Sequence, residues 1–249
     1  MKKLSDLPNP IKPSRAYRLA RENDENNYAF PWKNLTKYIP AVVHPKTIPF
    51  ERLPLALSHN RSFKRGADIL LSFFVITSIL SWLVPVIALI IKIDSKGPVF
   101  FLQKRNKRNG KVFTCIKFRS MIVNKDADLV QSKGNDKRIT RFGKYLRKKH
   151  LDELPQFFNV LLGDMSIVGP RPHMISDNLR YDKCVDHYAN RLSVKPGITG
   201  LAQVMGYTGP VEDIGEMKSR VRIDNYYIRH WCLKLDAIIL YITIIKAIL

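Results

Sequence analysis

The chain has 249 residues, with 42 Lys+Arg against 21 Asp+Glu and a formal net charge of +21. Its 45% hydrophobic and 10% aromatic content excludes a wholly disordered protein, and the length suffices for a domain with a sizeable core. Three widely spaced cysteines exclude a disulfide framework and a CxxC zinc site, while the excess positive charge indicates an anionic partner: nucleic acid, an anionic membrane surface or a phosphorylated substrate.

The first 62 residues form a polar arm in which proline recurs throughout. Because proline cannot continue a helix and cannot donate to a sheet, this spacing favours an extended backbone. We predict an arm over residues 1–62 with one short helix near residues 14–23, and we assign it no chemistry.

Residues 69–91 are 23 consecutive residues without a formal charge. As a straight helix they would measure about 34 Å, enough to cross a hydrocarbon core of roughly 30 Å. Pro85 lies within this run, removes one helical hydrogen bond and is expected to break or kink the helix. We therefore assign residues 63–96 to a membrane helix with a proline kink.

The charges that flank the apolar run bear on its orientation. Lys64 and Arg65 precede it, and Lys92 and Lys96 follow it, so the positive-inside bias holds both ends on the cytoplasmic side. A helix that enters the membrane and turns back satisfies this bias. A plain transmembrane helix with a proline kink is the alternative.

Residues 101–150 carry 16 basic and 3 acidic side chains, which is well over half of the net charge of the chain. A basic block beside a membrane segment is typical of a surface that meets anionic headgroups or phosphates. A merely solvated face is the alternative interpretation.

The region 97–249 has the pattern of a small α/β domain. Residues 97–121 alternate as in a β-hairpin that turns at Asn109-Gly110, a dipeptide that favours a type I′ turn. Residues 141–162 are predicted to be helical, with an interruption at 152–155. The other predicted elements are a Gly- and Pro-rich loop over 163–172, a helix near 174–188, and an apolar helical tail over 225–249 that is suited to the membrane interface.

Asp152 and Glu153 are the first candidates for chemistry, since they follow a run of basic residues. Adjacent side chains on a helix do not share a face, so one carboxylate could attack or bind substrate while the other holds a metal. Cationic neighbours are expected to keep both carboxylates ionised. The alternative is a helix start, with Asp152 as the N-cap and Glu153 as a first-turn acid.

Basic side chains in two other motifs are candidates for phosphate binding. Arg171 stands between two prolines, which pre-organise its guanidinium for a phosphate or a carboxylate. Lys117 and Arg119 are two apart in a predicted strand, so both project to one face as a plausible diphosphate clamp.

Two further acids, Asp224 and Asp236, stand in apolar or aromatic surroundings. Acids in such places are usually paired with a basic side chain, or they ligate a metal. The six histidines show no ligand spacing, so a metal site built from histidine is not expected.

The motifs LDELPQ, GDMSIVGPRP and PGITG, in this order, resemble the bacterial sugar transferase family, the monotopic phosphoglycosyl transferases that start glycan assembly on a polyprenol phosphate. The resemblance runs from about residue 63 to the end of the chain. It implies transfer of a phosphosugar from a UDP-sugar to undecaprenyl phosphate, with release of UMP. It also implies an α-rich α/β fold: a re-entrant or membrane-inserted N-terminal helix and a small cytosolic catalytic domain with interfacial amphipathic helices.

The resemblance implies roles for the candidate residues. Asp152 would attack the sugar-bearing phosphate and carry a covalent phosphosugar, and Glu153, alongside Asp152, would hold Mg²⁺. Arg147 would meet the lipid phosphate. The remaining substrate-binding positions that the resemblance implies are Lys117, Arg119, Arg171, Asp224 and Asp236.

The setting that the resemblance implies is the cytoplasmic face of a bacterial inner membrane, with no nucleic acid partner; homodimerisation stays open. The competing hypothesis is a membrane-tethered module that binds nucleic acid or anionic lipid through the basic block. That block has few interleaved aromatic residues and no nucleic-acid motif. A scaffold that has lost turnover is a third hypothesis, and the intact set Asp152, Glu153 and Arg171 argues against it.

Overall fold

The computed structural model describes residues 50–124, 136–211 and 213–248. Most of the predicted arm, including the helix expected near residues 14–23, lies outside the described residues. The described chain begins with two short 3₁₀ turns, Phe50–Arg52 and Pro54–Ala56, which bring Leu53 and Leu55 into the main core.

A long apolar helix follows these turns. Helix α1 (Ser58–Val75) and helix α2 (Ser81–Asp94) are joined by a π-helical turn at Ile76–Leu80, so the helical backbone runs unbroken over 37 residues. Its most apolar stretch has a mean hydropathy of 2.6, and only 17% of that stretch is buried against the rest of the protein. Within the described ranges, this is the one helix long and apolar enough to cross a membrane.

The irregularity of this helix lies one turn before the proline. The backbone stays helical through Pro85, so the expected break at that residue is not found. Pro85 lacks an N–H for the carbonyl of Ser81. The ladder itself is irregular earlier, in the π-helical turn Ile76–Leu80, where the Ser81 N–H donates to the Ile76 carbonyl. Hydroxyl groups of Thr77, Ser78 and Ser81 donate to carbonyls one turn earlier.

A β-hairpin comes next, as predicted. Strand β1 (Phe100–Asn106) pairs antiparallel with strand β2 (Val112–Phe118). Asn109 and Gly110 both have positive φ, 61° and 71°, which confirms the location of the turn. Since Asn106 pairs with Val112, the connecting loop is wider than the two-residue turn that the dipeptide favours.

The rest of the described chain alternates short helices with two three-residue strands. In chain order these elements are α3 (Arg141–Lys148), a 3₁₀ turn (Leu151–Glu153), α4 (Gln156–Leu162), β3 (Ser166–Val168), α5 (Ile175–Tyr181), a 3₁₀ turn (Tyr188–Ser193), β4 (Gly197–Thr199), α6 (Leu201–Val204), α7 (Ile214–Arg229) and α8 (Leu233–Ile248). Strands β3 and β4 pair in parallel. The helix-rich α/β class is therefore confirmed.

Several predicted boundaries change. The helical region 141–162 has its expected interruption, whereas the loop over 163–172 contains β3. The predicted helix near 174–188 ends at Tyr181. The predicted tail is two helices, α7 and α8, and one face of α8 packs into the core, where Ile239 and Ile242 are fully buried. The opposite face leaves Tyr241 and Ile244 exposed.

The beginning of the apolar helix is anchored to the globular part by three side chains. Lys64 forms an ion pair with Asp236 at 2.6 Å, and Arg65 donates to the last carbonyls of α4 at 2.5 and 2.7 Å. The Oδ1 atom of Asp68 accepts from the Ser166 hydroxyl at 3.0 Å and from the Ile167 N–H at 2.9 Å. These contacts place the start of α1 against β3.

The end of the apolar helix is anchored to the same globular part. Asp94 accepts from the Phe142 N–H at 3.1 Å, at the N-terminus of α3, where the helix dipole favours an anion. Arg119 donates to the carbonyls of Ser95, at 2.7 Å, and Lys96, which are otherwise unpaired groups at a helix end. Both ends of the apolar helix therefore contact one folded unit.

The Asp68 anchor predicts a graded loss of stability. Asp68→Ala leaves a buried N–H and a buried hydroxyl without their acceptor, so we expect a loss of roughly 2 kcal/mol in the free energy of unfolding. Asp68→Asn keeps the accepting oxygen and should lose less. Thermal unfolding in detergent measures both changes, with the exposed Asp182→Ala as the matched control. Equal stability of the Ala and Asn variants would contradict the role assigned to that oxygen.

Candidate active site

A cavity of about 750 Å³ opens between the hairpin, the 3₁₀ turn after α3, the loop after β3 and the first half of α7. Its walls carry more basic than acidic side chains. The basic ones are Arg105, Lys117, Arg119, Lys144, Arg147, Lys148, Arg171 and Arg220, and the acidic ones are Asp152, Glu153 and Asp177. Such a lining attracts a ligand with several negative charges.

The acid pair lies in the 3₁₀ turn Leu151–Glu153. His150 adopts the left-handed conformation, with φ 54°, and reverses the chain after α3. The N-cap of α4 is Pro155, which makes no side-chain capping bond, so Asp152 does not cap this helix. Asp152 and Glu153 are 8% and 7% exposed, respectively. Burying two carboxyl groups costs free energy unless they are paired, and the groups around each of them determine its pKa.

Glu153 is held as an anion by two cations. Its Oε1 atom accepts from Lys117 Nζ at 2.6 Å, and Arg171 donates to both carboxylate oxygens, at 2.6 and 2.8 Å. Burial alone would raise the pKa of Glu153, but the charges and hydrogen bonds of Arg171 and Lys117 outweigh it and hold the pKa well below its usual 4.5. The same contact raises the pKa of Arg171.

Asp152 has the opposite environment. Within the described ranges, no side chain or N–H donates a hydrogen bond to its carboxylate. Burial and the negative charge of Glu153 raise its pKa above 3.8, although Lys117, Arg147 and Arg171 act in the other direction. The basic neighbours therefore lower the pKa of Glu153 below its usual value, whereas for Asp152 the effects of burial and of Glu153 on the pKa are larger than theirs. A carboxylate without a donor is available to attack an electrophile or to bind a cation.

Arg171 is positioned by a close approach of two loops. The Gly169 N–H donates to the Thr199 carbonyl at 2.9 Å, and the Gly197 N–H donates to the Pro170 carbonyl at 3.0 Å. A side chain on Gly197 would collide with the Gly169 backbone, so the GPRP and PGITG motifs fit together only through their glycines. The sequence motif thus has a physical role in aiming one guanidinium at Glu153.

A buried network supports Arg171 from behind. Arg191 donates to the Arg171 carbonyl at 2.7 Å, and its Nε donates to Asp224 at 2.7 Å. Burial raises the pKa of Asp224 in spite of Arg191, and burial together with neighbouring arginines lowers the pKa of His173, which contacts the same guanidinium. Asp224 therefore lies behind the cavity wall and reaches the site only through Arg191.

Asp236 also lies away from the cavity. Besides Lys64, it accepts from the Tyr227 hydroxyl at 2.8 Å and from Trp231 Nε1 at 2.9 Å. Of the two alternatives for Asp224 and Asp236, the structure shows the pairing with a basic side chain. Neither acid lines the cavity, where the substrate-binding role implied by the resemblance would place it. The reason is that each buried carboxylate is neutralised by a basic residue from a distant part of the chain.

Lys117 and Arg119 do not form the predicted clamp. Strand β2 ends at Phe118, so the alternation of faces that motivated the pairing stops before Arg119. Lys117 binds Glu153, whereas Arg119 turns toward the end of the apolar helix and donates to its carbonyls. Arg119 lines the cavity wall, but its main contacts serve the anchoring of that helix.

Arg147 lies on the side of the cavity nearest the apolar helix. Its Nε donates to the Ser120 hydroxyl at 2.8 Å. On the same helix, α3, Leu146 packs against Ile87 and Ile91 of α2. Arg147 is therefore brought close to both the acid pair and the membrane element, as its predicted role requires.

Three functional positions were missed from the sequence. Arg191, Arg105 and Arg220 are all buried or half-buried beside the site. Arg191 is 33 residues from its partner Asp224, a separation that matches no local motif. Arg105, which donates to Gln103 and to the Pro172 carbonyl, belongs to a Gln-x-Arg motif in the hairpin, and that motif could have indicated it.

The acid pair is the candidate for holding a metal. In the part of the chain that the structure describes, no cluster of three or more His, Cys, Asp or Glu residues could hold an ion. Magnesium, however, usually takes only one or two carboxylates and completes its shell with water and substrate phosphates. Asp152, with no donor of its own, and the adjacent Glu153 fit such a partial site.

Comparisons with known proteins agree with these features. A family model described as Bacterial sugar transferase matches residues 59–249. The UDP-glucose:undecaprenyl-phosphate glucose-1-phosphate transferase of Klebsiella pneumoniae is 46% identical over 188 residues, which cover 75% of this chain and 40% of that protein. The UDP-N-acetylgalactosamine-undecaprenyl-phosphate N-acetylgalactosaminephosphotransferase of Aeromonas hydrophila is 43% identical over 183 residues, covering 73% and 42%.

The relatives differ in length. The chain spans about two fifths of the length of the transferases just named. The exopolysaccharide production protein PSS of Rhizobium leguminosarum bv. phaseoli is 39% identical over 188 residues, which cover 74% of this chain and 94% of that protein. The residues that the family model matches, 59–249, include all but the first residue of the apolar helix and the whole cavity lining.

The ion pairs of Glu153 predict a pH-dependent contribution to stability. Because the folded-state pKa of Glu153 is depressed, this contribution is fully present above pH 4.5 and is lost as the pH falls through the folded pKa. We expect Glu153→Gln to cost about 3 kcal/mol in the free energy of unfolding at neutral pH. The difference from the wild type should shrink in acid.

Denaturant unfolding between pH 7 and pH 3 measures this effect. Asp182→Asn is a suitable control, because it removes a carboxylate at an exposed position. A Glu153→Gln deficit that stays constant with pH would contradict the assignment of the charged pair.

Proposed function

Because the chain belongs to the bacterial sugar transferase family, we propose that it transfers a phosphosugar from a UDP-sugar to undecaprenyl phosphate and releases UMP. The observation that carries this proposal is the contrast between two adjacent carboxylates in one cationic cavity. Glu153 is locked to Arg171 and Lys117, while Asp152 keeps its oxygens available. The donor class considered is UDP-hexoses and UDP-N-acetylhexosamines.

In the first half-reaction, a carboxylate oxygen of Asp152 attacks the phosphorus that bears the sugar. The bond between this phosphorus and the bridging oxygen breaks, UMP leaves with that oxygen, and an aspartyl phosphosugar remains. The raised pKa of Asp152 makes its carboxylate a better nucleophile once it is ionised. The surrounding cations then stabilise the charge that develops on the phosphate oxygens.

In the second half-reaction, a phosphate oxygen of the lipid attacks the same phosphorus. The bond to Asp152 breaks, the carboxylate is regenerated and the sugar leaves as a polyprenol diphosphate. Arg147 is placed to bind the incoming lipid phosphate, because it lies in the cavity wall next to the membrane helix. Splitting the transfer into two steps lets each anionic substrate enter the site in turn.

Glu153 and Arg171 are assigned two roles: orienting the donor and neutralising the charge on its phosphates. The bidentate pair fixes the guanidinium in the cavity wall, from which it can contact the phosphates of the donor. Mg²⁺ held by Asp152, Glu153 and the substrate phosphates would neutralise charge on the diphosphate. Lys117 keeps Glu153 anionic and thereby preserves this ligand.

The membrane topology is part of the proposal. Lys64 and Asp68 at the start of the apolar helix and Asp94 at its end all contact one globular unit. We infer that the helix enters and leaves on the cytoplasmic face of the inner membrane. Both of its ends bind the same globular unit through charged side chains, and placing one of these ends on the other side of the bilayer would break those contacts. The cavity then opens where a lipid phosphate lies.

The competing nucleic-acid interpretation is not favoured. Six of the basic residues in the block 101–150 line the cavity that also holds the acid pair. A nucleic-acid surface presents its cations along an open groove and pairs them with stacking aromatics. Here the cations line a cavity whose wall also carries two carboxylates, and Lys117 binds one of them.

Asp152→Asn is expected to abolish turnover, because the amide cannot attack phosphorus and displace UMP. The assay is UMP release by the detergent-solubilised chain with Mg²⁺, undecaprenyl phosphate and a panel of UDP-sugars. Asp182→Asn, an identical change at an exposed position, should behave as the wild type. Undiminished UMP release by Asp152→Asn would refute the mechanism.

The topology predicts that both ends of the apolar helix are labelled from the same side. Single cysteines at Ser58→Cys and Lys96→Cys, with the exposed Cys184 and Cys232 replaced by serine, can be probed with an impermeant thiol reagent. Both should react in inverted vesicles, and neither should react in intact spheroplasts. Labelling of one position from outside would show that the helix crosses the membrane.

A further inference from the structure

Arg220 is a buried cation whose hydrogen bonds are incomplete. It lies on α7 in the cavity wall and is 3% exposed. Its Nη2 atom reaches the Gly209 carbonyl and Glu216 Oε1, each at 3.3 Å, and its Nε is buried without a partner. Charge-assisted bonds to a guanidinium are normally about 2.7–2.9 Å long, so both contacts are loose.

Arg191, a buried arginine in the same region, makes short hydrogen bonds and serves as the comparison. It is buried to a similar degree, and it donates to Asp224 and to the Arg171 carbonyl at 2.7 Å each. An unpaired donor on a buried guanidinium carries an appreciable desolvation cost, which a protein tolerates chiefly where a ligand supplies the acceptor. Arg119 likewise has a buried Nε without a partner, but its guanidinium donates to the carbonyls of Ser95, at 2.7 Å, and Lys96. Both contacts of Arg220 are 3.3 Å long, and this difference distinguishes it from Arg119 and Arg191.

The surroundings of Arg220 are arranged for an anion. Glu216 is its only acidic contact in the described part of the chain, and it lies at the long distance given above. Gly209 has a φ of +80°, which glycine adopts without strain, and its carbonyl holds one edge of the guanidinium. Arg171 is near enough for its positive charge to lower the pKa of Arg220, after the larger effect of burial.

We propose that Arg220 binds the phosphate of the donor that stays on the nucleotide and leaves as UMP. This inference rests on the proposed function, which places the sugar-bearing phosphate beside Asp152 and Arg171. The second phosphate of the diphosphate must then lie next to them, toward another cation of the cavity wall. Arg220 has an unpaired Nε and two long contacts at Nη2, and it stabilises the charge that this phosphate gains when the bridging bond breaks.

The test compares two ligands that differ only in a phosphate. Binding of UMP and of uridine to the detergent-solubilised full chain is measured by titration calorimetry for the wild type, Arg220→Gln and Arg220→Lys. Arg220→Gln should weaken UMP binding at least tenfold and leave uridine binding unchanged. Arg220→Lys, which keeps the charge but loses the fork, should fall between the two.

The control is Lys218→Gln, which removes the same charge from an exposed position on the same helix. It should bind UMP as the wild type does. UMP binding by Arg220→Gln within twofold of the wild type would overturn the proposal. An equal loss for UMP and uridine would also overturn it, because the contact would then be with the nucleoside.

The half-reactions separate this proposal from the general one. Arg220→Gln should slow formation of the phosphosugar adduct, while an adduct already formed should pass to undecaprenyl phosphate at the wild-type rate. Absence of UMP release from the wild type would refute the proposed function, and the calorimetric comparison would still decide the role of Arg220. If Arg220→Gln has a lowered unfolding temperature, the role of Arg220 is decided by comparing UMP binding of Arg220→Lys with that of Lys218→Gln. An Arg220→Lys variant that binds UMP as tightly as the wild type overturns the proposal.

Discussion

The bidentate ion pair between Arg171 and Glu153 is the contact on which the arrangement of the site depends. It joins the loop after β3 to the 3₁₀ turn after α3, and Lys117 adds the hairpin to the same carboxylate. Glu153 takes up these two cations, and among the described residues none donates a hydrogen bond to the neighbouring Asp152. The two adjacent carboxylates therefore differ: one is a fixed anion, and the other has the open oxygens that the proposed attack requires. The close contact of Gly169 with Gly197, and the bond from Arg191 to the Arg171 carbonyl, hold the pair in place.

The position of the cavity relative to the apolar helix follows from the anchoring of that helix at both ends. Charged residues at its start bind β3, α4 and α8, and Asp94 at its end binds the N-terminus of α3. Helix α3 carries Arg147 and leads directly into the turn of the acid pair. Helix α3 therefore packs against the apolar helix at one face and leads into the turn of the acid pair at its end. A shift of the apolar helix would therefore move α3 and, with it, the turn that holds the acid pair.

Local patterns predicted most elements, whereas long-range pairings could not be predicted. The hairpin at Asn109-Gly110 and the interruption before α4 follow from turn chemistry and proline, which act over a few residues. The placement of Asp224 depends on Arg191, 33 residues away, and no local spacing encodes that pair. Arg119 was assigned by strand alternation, which fails because the strand ends one residue earlier. The break expected at Pro85 is not found, since the backbone stays helical there, and the irregular turn lies earlier, at Ile76–Leu80.

The central claim is that Asp152 carries the phosphosugar between two half-reactions. It is tested most directly by mixing the wild-type chain with an excess of the accepted UDP-sugar and Mg²⁺ in the absence of any lipid phosphate. We expect a burst of one UMP per protein chain. The mass of the intact protein should increase by one phosphosugar, and peptide mapping should place that phosphosugar on the peptide that contains Asp152. UMP release that appears only after undecaprenyl phosphate is added, with no adduct at any time, would contradict it.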